Sequence, residues 1–133
     1  AWLTSHDSRW KAAVFYAAEI DPLAQYYLED YNVAEWYYFK GRPWNSESVM
    51  ESYVAQSALT YARQVKTPTL IVSNTGDGRV PIAPEFAWYH ALRDNDVPVK
   101  FVLFPGSGHD ISGPVHVEDM YHLWFDWLAK YVK

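Results

Sequence analysis

Three short apolar runs punctuate the chain: Lys11–Ala18, Thr69–Ser73 and Val99–Phe104. Runs of this length without polar alternation suit strands buried on both faces, although a buried helical turn shares the pattern at the first of them. Elsewhere the period lengthens. From about His116 to Val132 the apolar positions Val117, Met120, Tyr121, Trp124, Trp127, Leu128 and Tyr131 recur at i, i+3, i+4 and i+7, which predicts an amphipathic helix. Pro81 and Pro84 restart the chain as another helix, with Phe86, Tyr89 and Leu92 at helical spacing and an end near Asp94–Asp96. Residues 22–44 predict helical pieces from Pro22 to about Tyr38, broken by Gly41-Arg42-Pro43. Asn45-Ser46-Glu47-Ser48 supplies helix starts, and Ser48 with Glu51 has the form of a capping box, which predicts a helix to about Ser57; a short helical turn follows at Tyr61–Val65. Residues 1–9 read as the end of a helix, with Trp2 and Leu3 facing inward and His6, Asp7 and Ser8 closing it.

The order is therefore helix end, strand, helical insertion, strand, helix, strand, helix. Alternation of this kind predicts an α/β fold with a parallel sheet and right-handed crossovers. Strands buried on both faces need neighbours, because an open parallel edge is a liability. The chain is thus expected to be half of a fold, incomplete without upstream strands. The opening Ala-Trp-Leu-Thr has neither an initiator Met nor a signal-peptide pattern, and is expected to continue an upstream segment or to meet a companion chain.

Composition narrows the partners. The 133 residues are one domain's length, half are hydrophobic, and 7 Trp, 11 Tyr and 6 Phe can fill a substantial core. A net charge of −5 argues against nucleic acid or an anionic membrane as partner. Cysteine is absent, so neither a disulfide framework nor a thiolate metal site is expected. The most apolar late stretch is interrupted by Asp126 and Lys130, so no membrane span is expected. A soluble chain, with the cytoplasm as the favoured compartment, is the expectation.

The chemistry gathers in two loops. Asp77 sits between two glycines just past the second strand, and His109 follows Gly106-Ser107-Gly108 after the third. Parallel sheets present ligands at the carboxyl ends of their strands, so both groups are expected at one edge. An acid that fixes a histidine, and a histidine that moves a proton, are two thirds of a Ser-His-Asp triad. The competing readings are a turn aspartate favoured by Gly-Asp-Gly geometry and a surface-loop histidine. His6, His90, His116 and His122 lie at helix ends or on helix faces and read as structural. No zinc-type His spacing appears, so no metal and no cofactor is expected.

Thr67-Pro68-Thr69-Leu70-Ile71, Gly76-Asp77-Gly78-Arg79-Val80-Pro81, Val97-Pro98-Val99 and Phe104-Pro105-Gly106-Ser107-Gly108-His109 together resemble the C-terminal catalytic region of the prolyl oligopeptidase family of α/β-hydrolases. The likeness is greatest to its acylaminoacyl-peptidase and dipeptidyl-peptidase branch. It extends to Gly41-Arg42-Pro43-Trp44, Ser57-Ala58-Leu59-Thr60-Tyr61 and the opening Ala1-Trp2-Leu3-Thr4, and so covers residues 1–133. The resemblance implies that Asp77 is the triad aspartate and His109 the triad histidine. It places Arg79 in an Asp-x-Arg-Val-Pro motif, where it either reaches the substrate backbone or holds the loop through a salt bridge.

The family's Gly-x-Ser-x-Gly nucleophile elbow is missing from the sequence. Ser107 is on the histidine's own loop, Ser73 belongs to a strand, and Ser5 and Ser8 lie at the far end of the opening helix. Nucleophile and oxyanion hole are therefore expected from the upstream segment or companion chain, in an oligomeric particle acting on peptide or acylated amino-acid substrates. The chain by itself is expected to be inactive. An esterase of the same fold and a non-catalytic interaction module with remnant triad residues are the alternatives. The aromatics of 22–44 are expected to serve mainly as core, with some as pocket walls.

Overall fold

In the computed structural model, strands β1 (Ala13–Tyr16), β2 (Thr69–Gly76) and β3 (Val99–Ser107) form one parallel sheet in the order β1-β2-β3. The structure describes the backbone of residues 1–133 and every side chain except that of Ser107. The register pairs Thr69 with Ala13 on one side and with Val99 on the other, so the strands start level. Leu70, Ile71 and Val72 of β2 are fully buried, as expected of a central parallel strand. β1 differs from that expectation. Only Phe15 is buried, because β1 is an edge strand of the three-stranded sheet. β2 and β3 also run three residues beyond their apolar cores, because ladder pairing continues through Asn74 and, after an irregularity, joins Gly76 to Ser107.

Helices cover both faces. Against one pack α5 (Ala83–Asp94) and a 3-10 helix (Ala58–Gln64), with Phe15, Ile71, Trp88, Leu92 and Val97 in the core between them. Against the other lies α6 (Pro114–Tyr131), which brings Met120 and Trp127 onto Leu70, Val72 and Phe104. On α5 the buried positions are Pro84, Glu85, Trp88 and Leu92, while Phe86 is exposed. The inward face is thus rotated by about one residue from the one its apolar spacing predicts.

The aromatic insertion forms α2 (Pro22–Leu28), α3 (Val33–Tyr38) and α4 (Glu47–Ala55). Asp21 caps α2 by accepting the Leu23 N–H, with Pro22 at the first turn where its missing donor costs nothing. The cap of α4 is Ser46, whose hydroxyl accepts the Val49 N–H, so the helix begins two residues before the Ser48–Glu51 box predicts. Tyr26, Phe39 and Tyr53 make a separate small core here, with the Phe39 and Tyr53 rings stacked at 4.0 Å.

The first helix, α1 (Trp2–His6), reverses its expected orientation. Thr4 and Ser5 are buried and Trp2 and Leu3 exposed. The two hydroxyls accept burial because each donates to a carbonyl one turn back, Ala1 and Trp2. Trp2 and Leu3 line a groove with Trp10 and Ala12–Phe15, along β1.

Trp88 is the largest fully buried side chain. Trp88→Ala is expected to destabilise the fold by about 3–5 kcal/mol, as large-to-small core changes do. Tyr37→Ala, at a 79% exposed position, is expected to change it by less than about 0.5 kcal/mol. Urea unfolding followed by tryptophan fluorescence separates the two.

Candidate active site

The carboxyl ends of all three strands converge on one acid–histidine pair. β2 ends at Gly76, and the next residue, Asp77, has a side chain with no solvent exposure. Its Oδ1 accepts the N–H groups of Arg79 (2.8 Å) and Val80 (2.9 Å), a turn that fixes the carboxylate plane. Its Oδ2 stands 3.0 Å from His109 Nδ1. A neutral imidazole that donates Nδ1–H to Asp77 carries its lone pair on Nε2, the atom needed to accept a proton. The His109 side chain is 44% exposed, so the pair has one buried end and one open end.

The histidine's loop is held mostly through its backbone. Gly108 adopts φ +111°, which L side chains avoid, and its N–H reaches Gly76 O at 3.2 Å. The Asn74 side-chain amide donates to Gly108 O (3.1 Å), and the Tyr16 hydroxyl donates to His109 O (2.6 Å) while accepting the Ile111 N–H (2.8 Å). Asn74 and Tyr16 escape sequence reasoning, since both read as ordinary strand residues. Their only signal is their place at strand ends beside Asp77 and His109.

Arg79 points the other way. Its Nε pairs with Asp30 Oδ1 at 3.1 Å, and its guanidinium lies over the Tyr31 ring. The Asp30 N–H donates to Gly78 O (2.8 Å), and the Gln25 amide donates to Arg79 O. The turn after α2 thereby grips the Asp77 loop. A cavity of about 460 Å³ opens nearby on the insertion, lined by Glu19, Glu35, Tyr37 and Tyr38 among others; neither Asp77 nor His109 lines it.

Ser5 and Ser73 are buried in α1 and β2, and Ser8 is exposed beyond α1. Ser107 is the remaining serine singled out in the sequence, and its side chain lies outside the described residues. Among the described residues no three His, Asp or Glu side chains are grouped to hold a metal ion. No described helix is long and apolar enough to cross a membrane.

Beneath the pair lies a second acid that the sequence does not advertise. Glu85 is fully buried, and its Oε1 accepts the Ala18 N–H at 2.9 Å. Ser73 Oγ lies beside it without a well-formed hydrogen bond. Burial is the main force pushing the Glu85 carboxyl up to about 7; the Ala18 hydrogen bond and the nearby Ser73 hydroxyl pull down, and the Asp77 charge adds a further push.

The model of the prolyl oligopeptidase family matches residues 1–133. The chain is similar to the acylamino-acid-releasing enzyme of Mus musculus, with 40% identity over 65 residues, 49% of this chain and 9% of that protein. It is similar to dipeptidyl-peptidase 5 of Porphyromonas endodontalis along 99% of its length, at 26% identity and 19% of that protein. Among solved structures, the acylaminoacyl peptidase of Pyrococcus horikoshii superposes with a TM-score of 0.83 at 24% identity, over 97% of this chain and 21% of that one. An acylaminoacyl peptidase in complex with Z-Gly-Gly-Phe-chloromethyl ketone reaches a TM-score of 0.87 at 23% identity, over 99% and 22%. The fold is therefore that of the C-terminal part of an α/β-hydrolase, and the chain spans about a fifth of these solved chains.

Glu85 sets a pH prediction. Its folded pKa, about 7, lies above the ordinary 4.5, so its contribution to stability is full below 4.5 and is lost as pH rises through 7. Glu85→Gln is expected to flatten that part of the stability profile, gaining on the native chain at pH 8 relative to pH 4.5. Denaturant midpoints across this range test it.

Proposed function

Since the chain belongs to the prolyl oligopeptidase family, whose model matches residues 1–133, we propose that it is the C-terminal portion of the catalytic domain of a serine peptidase. Its part is to supply Asp77 and His109. The observation that carries this reading is the 3.0 Å pairing of a buried carboxylate with a half-open imidazole at the ends of adjacent parallel strands.

In the proposed reaction, a serine hydroxyl loses its proton to His109 Nε2 as its oxygen adds to the substrate carbonyl carbon. The tetrahedral intermediate collapses by expelling the amine, which takes the same proton from the imidazolium. Water then repeats the cycle on the acyl-enzyme, releasing the acid and restoring the serine. Asp77 holds the ring's orientation and stabilises the imidazolium, and its two backbone N–H donors keep it from turning away.

The serine and the oxyanion donors are assigned to an upstream segment or companion chain in an oligomeric particle. In this reading the chain alone does not turn over. The names of the relatives support peptide or acylated amino-acid substrates. Arg79 enters as a candidate substrate contact: its side chain is 48% exposed although Nε is engaged by Asp30. The same pairing also serves the loop, and Arg79→Lys separates the two roles. A raised KM with unchanged stability marks substrate contact, and a lowered unfolding midpoint marks loop support.

The complete serine-bearing protein is expected to label with a fluorophosphonate probe and to release p-nitroaniline from an N-acetylated amino-acid or dipeptide anilide. His109→Ala and Asp77→Asn are each expected to lower kcat by about 10⁴-fold or more, as in other triads. Labelling with ester turnover alone would favour the esterase. Neither labelling nor turnover would leave a non-catalytic module.

A further inference from the structure

We propose that Tyr16 is a positioning residue for His109, setting the ring through the backbone on both sides of Asp110; the catalytic part of this inference rests on the serine-peptidase reading. The loop brings few side chains of its own to hold the ring. Gly106 and Gly108 bring no side chains to it, and nothing lies within 4 Å of where a Cβ on Gly108 would be. With the His109 side chain 44% exposed, packing does not fix the ring. Hydrogen bonds must. Asn74 donates to Gly108 O at 3.1 Å, on the approach to the histidine, and more weakly to His109 O at 3.4 Å. Beyond it, the Tyr16 hydroxyl donates to His109 O at 2.6 Å and accepts the Ile111 N–H at 2.8 Å.

The anchor itself is rigid. Tyr16 is the last residue of β1 and pairs with Val72, and the ladder continues through the Ala17 N–H to Val72 O at 3.2 Å. Ala17 then turns left-handed at φ +44°, and the next N–H, of Ala18, is held by buried Glu85. The Tyr16 ring stands 6.5 Å from that of Trp124 and 6.4 Å from that of His109. Burial first, then the neighbouring charges of Asp110, Asp77 and Glu85, raise the phenol's pKa, against the Ile111 hydrogen bond; the hydroxyl thus remains a neutral donor. This hydroxyl therefore ties the general base to β1 by the shorter of two bonds to the His109 carbonyl, the other being the 3.4 Å contact from Asn74 of β2. Loosening it lets the imidazole wander, and misplacement of a reacting group by an ångström can cost about 10²-fold in rate.

The test is Tyr16→Phe in the complete serine-bearing protein, a change that removes only the hydroxyl. Its kcat is expected to fall about 10- to 100-fold, with KM within about twofold. The acid limb of its kcat/KM profile is expected to move, because the Asp77–His109 bond is no longer held at one length. A merely structural role would lower the amplitude in step with the folded fraction, read from the unfolding midpoint, and leave the limb in place; that result overturns the proposal. A second readout needs no turnover. In protein labelled with ¹⁵N-histidine, the downfield proton on His109 Nδ1 is expected to broaden or vanish in Tyr16→Phe. If that signal persists unchanged, Tyr16 does not position the ring. If it is lost in a protein that never turns over substrate, the positioning stands and the peptidase reading falls.

Discussion

The parallel ladder on β2 is the constraint from which the rest follows. β2 is paired on both sides, with Thr69 level with Ala13 and Val99. Because the three strands start level and run the same way, their carboxyl ends point to one edge of the sheet. Tyr16, Asn74, Asp77 and His109 are brought within hydrogen-bonding reach although they stand up to 93 residues apart. Neither the α5 side nor the α6 side reaches His109 with the bonds that fix its backbone; those come from β1 and β2. Slipping β2 by one residue would exchange its inward faces and unpair the acid from the histidine.

Around that ladder the burial is uneven. β2 is sealed by two apolar clusters, one on each face. β1 is left half-buried, with a groove along it that exposes Trp2 and Leu3. A surface of this kind is costly in water and is ordinarily covered by further structure. The same unevenness appears in the proposed chemistry, where Asp77 is sealed and His109 faces outward.

How far the sequence discloses this depends on what kind of order is asked for. The strands, the long final helix and the two chemistry-bearing loops are legible because continuous apolar runs, a 3.6-residue period and paired glycines are local signals. The Asp77–His109 distance is legible only by combining strand-end placement with the family resemblance. What escapes is set by tertiary neighbours. Thr4 and Ser5 are polar residues that bury because their hydroxyls close on carbonyls of their own helix. Among the helix starts in residues 45–48, which one caps is settled by which hydroxyl meets a free N–H, and Ser46 meets that of Val49. Glu85 looks like an ordinary acidic residue in a helix's first turn, yet it faces inward to hold Ala18. Tyr16 looks like one more aromatic in a strand, and nothing local tells that its hydroxyl bridges His109 and Ile111.

Gly108 carries a consequence of a different kind. Its surroundings are empty, yet its φ of +111° excludes ordinary side chains. The restriction there is one of handedness and not of room. Its mirror image, −111°, is an unexceptional angle for an L residue. A D-alanine introduced at this position by chemical ligation therefore meets no unfavourable φ, and by narrowing the unfolded chain's freedom it favours the folded turn. Stereochemistry, invisible to any natural substitution, is the one open handle on this turn.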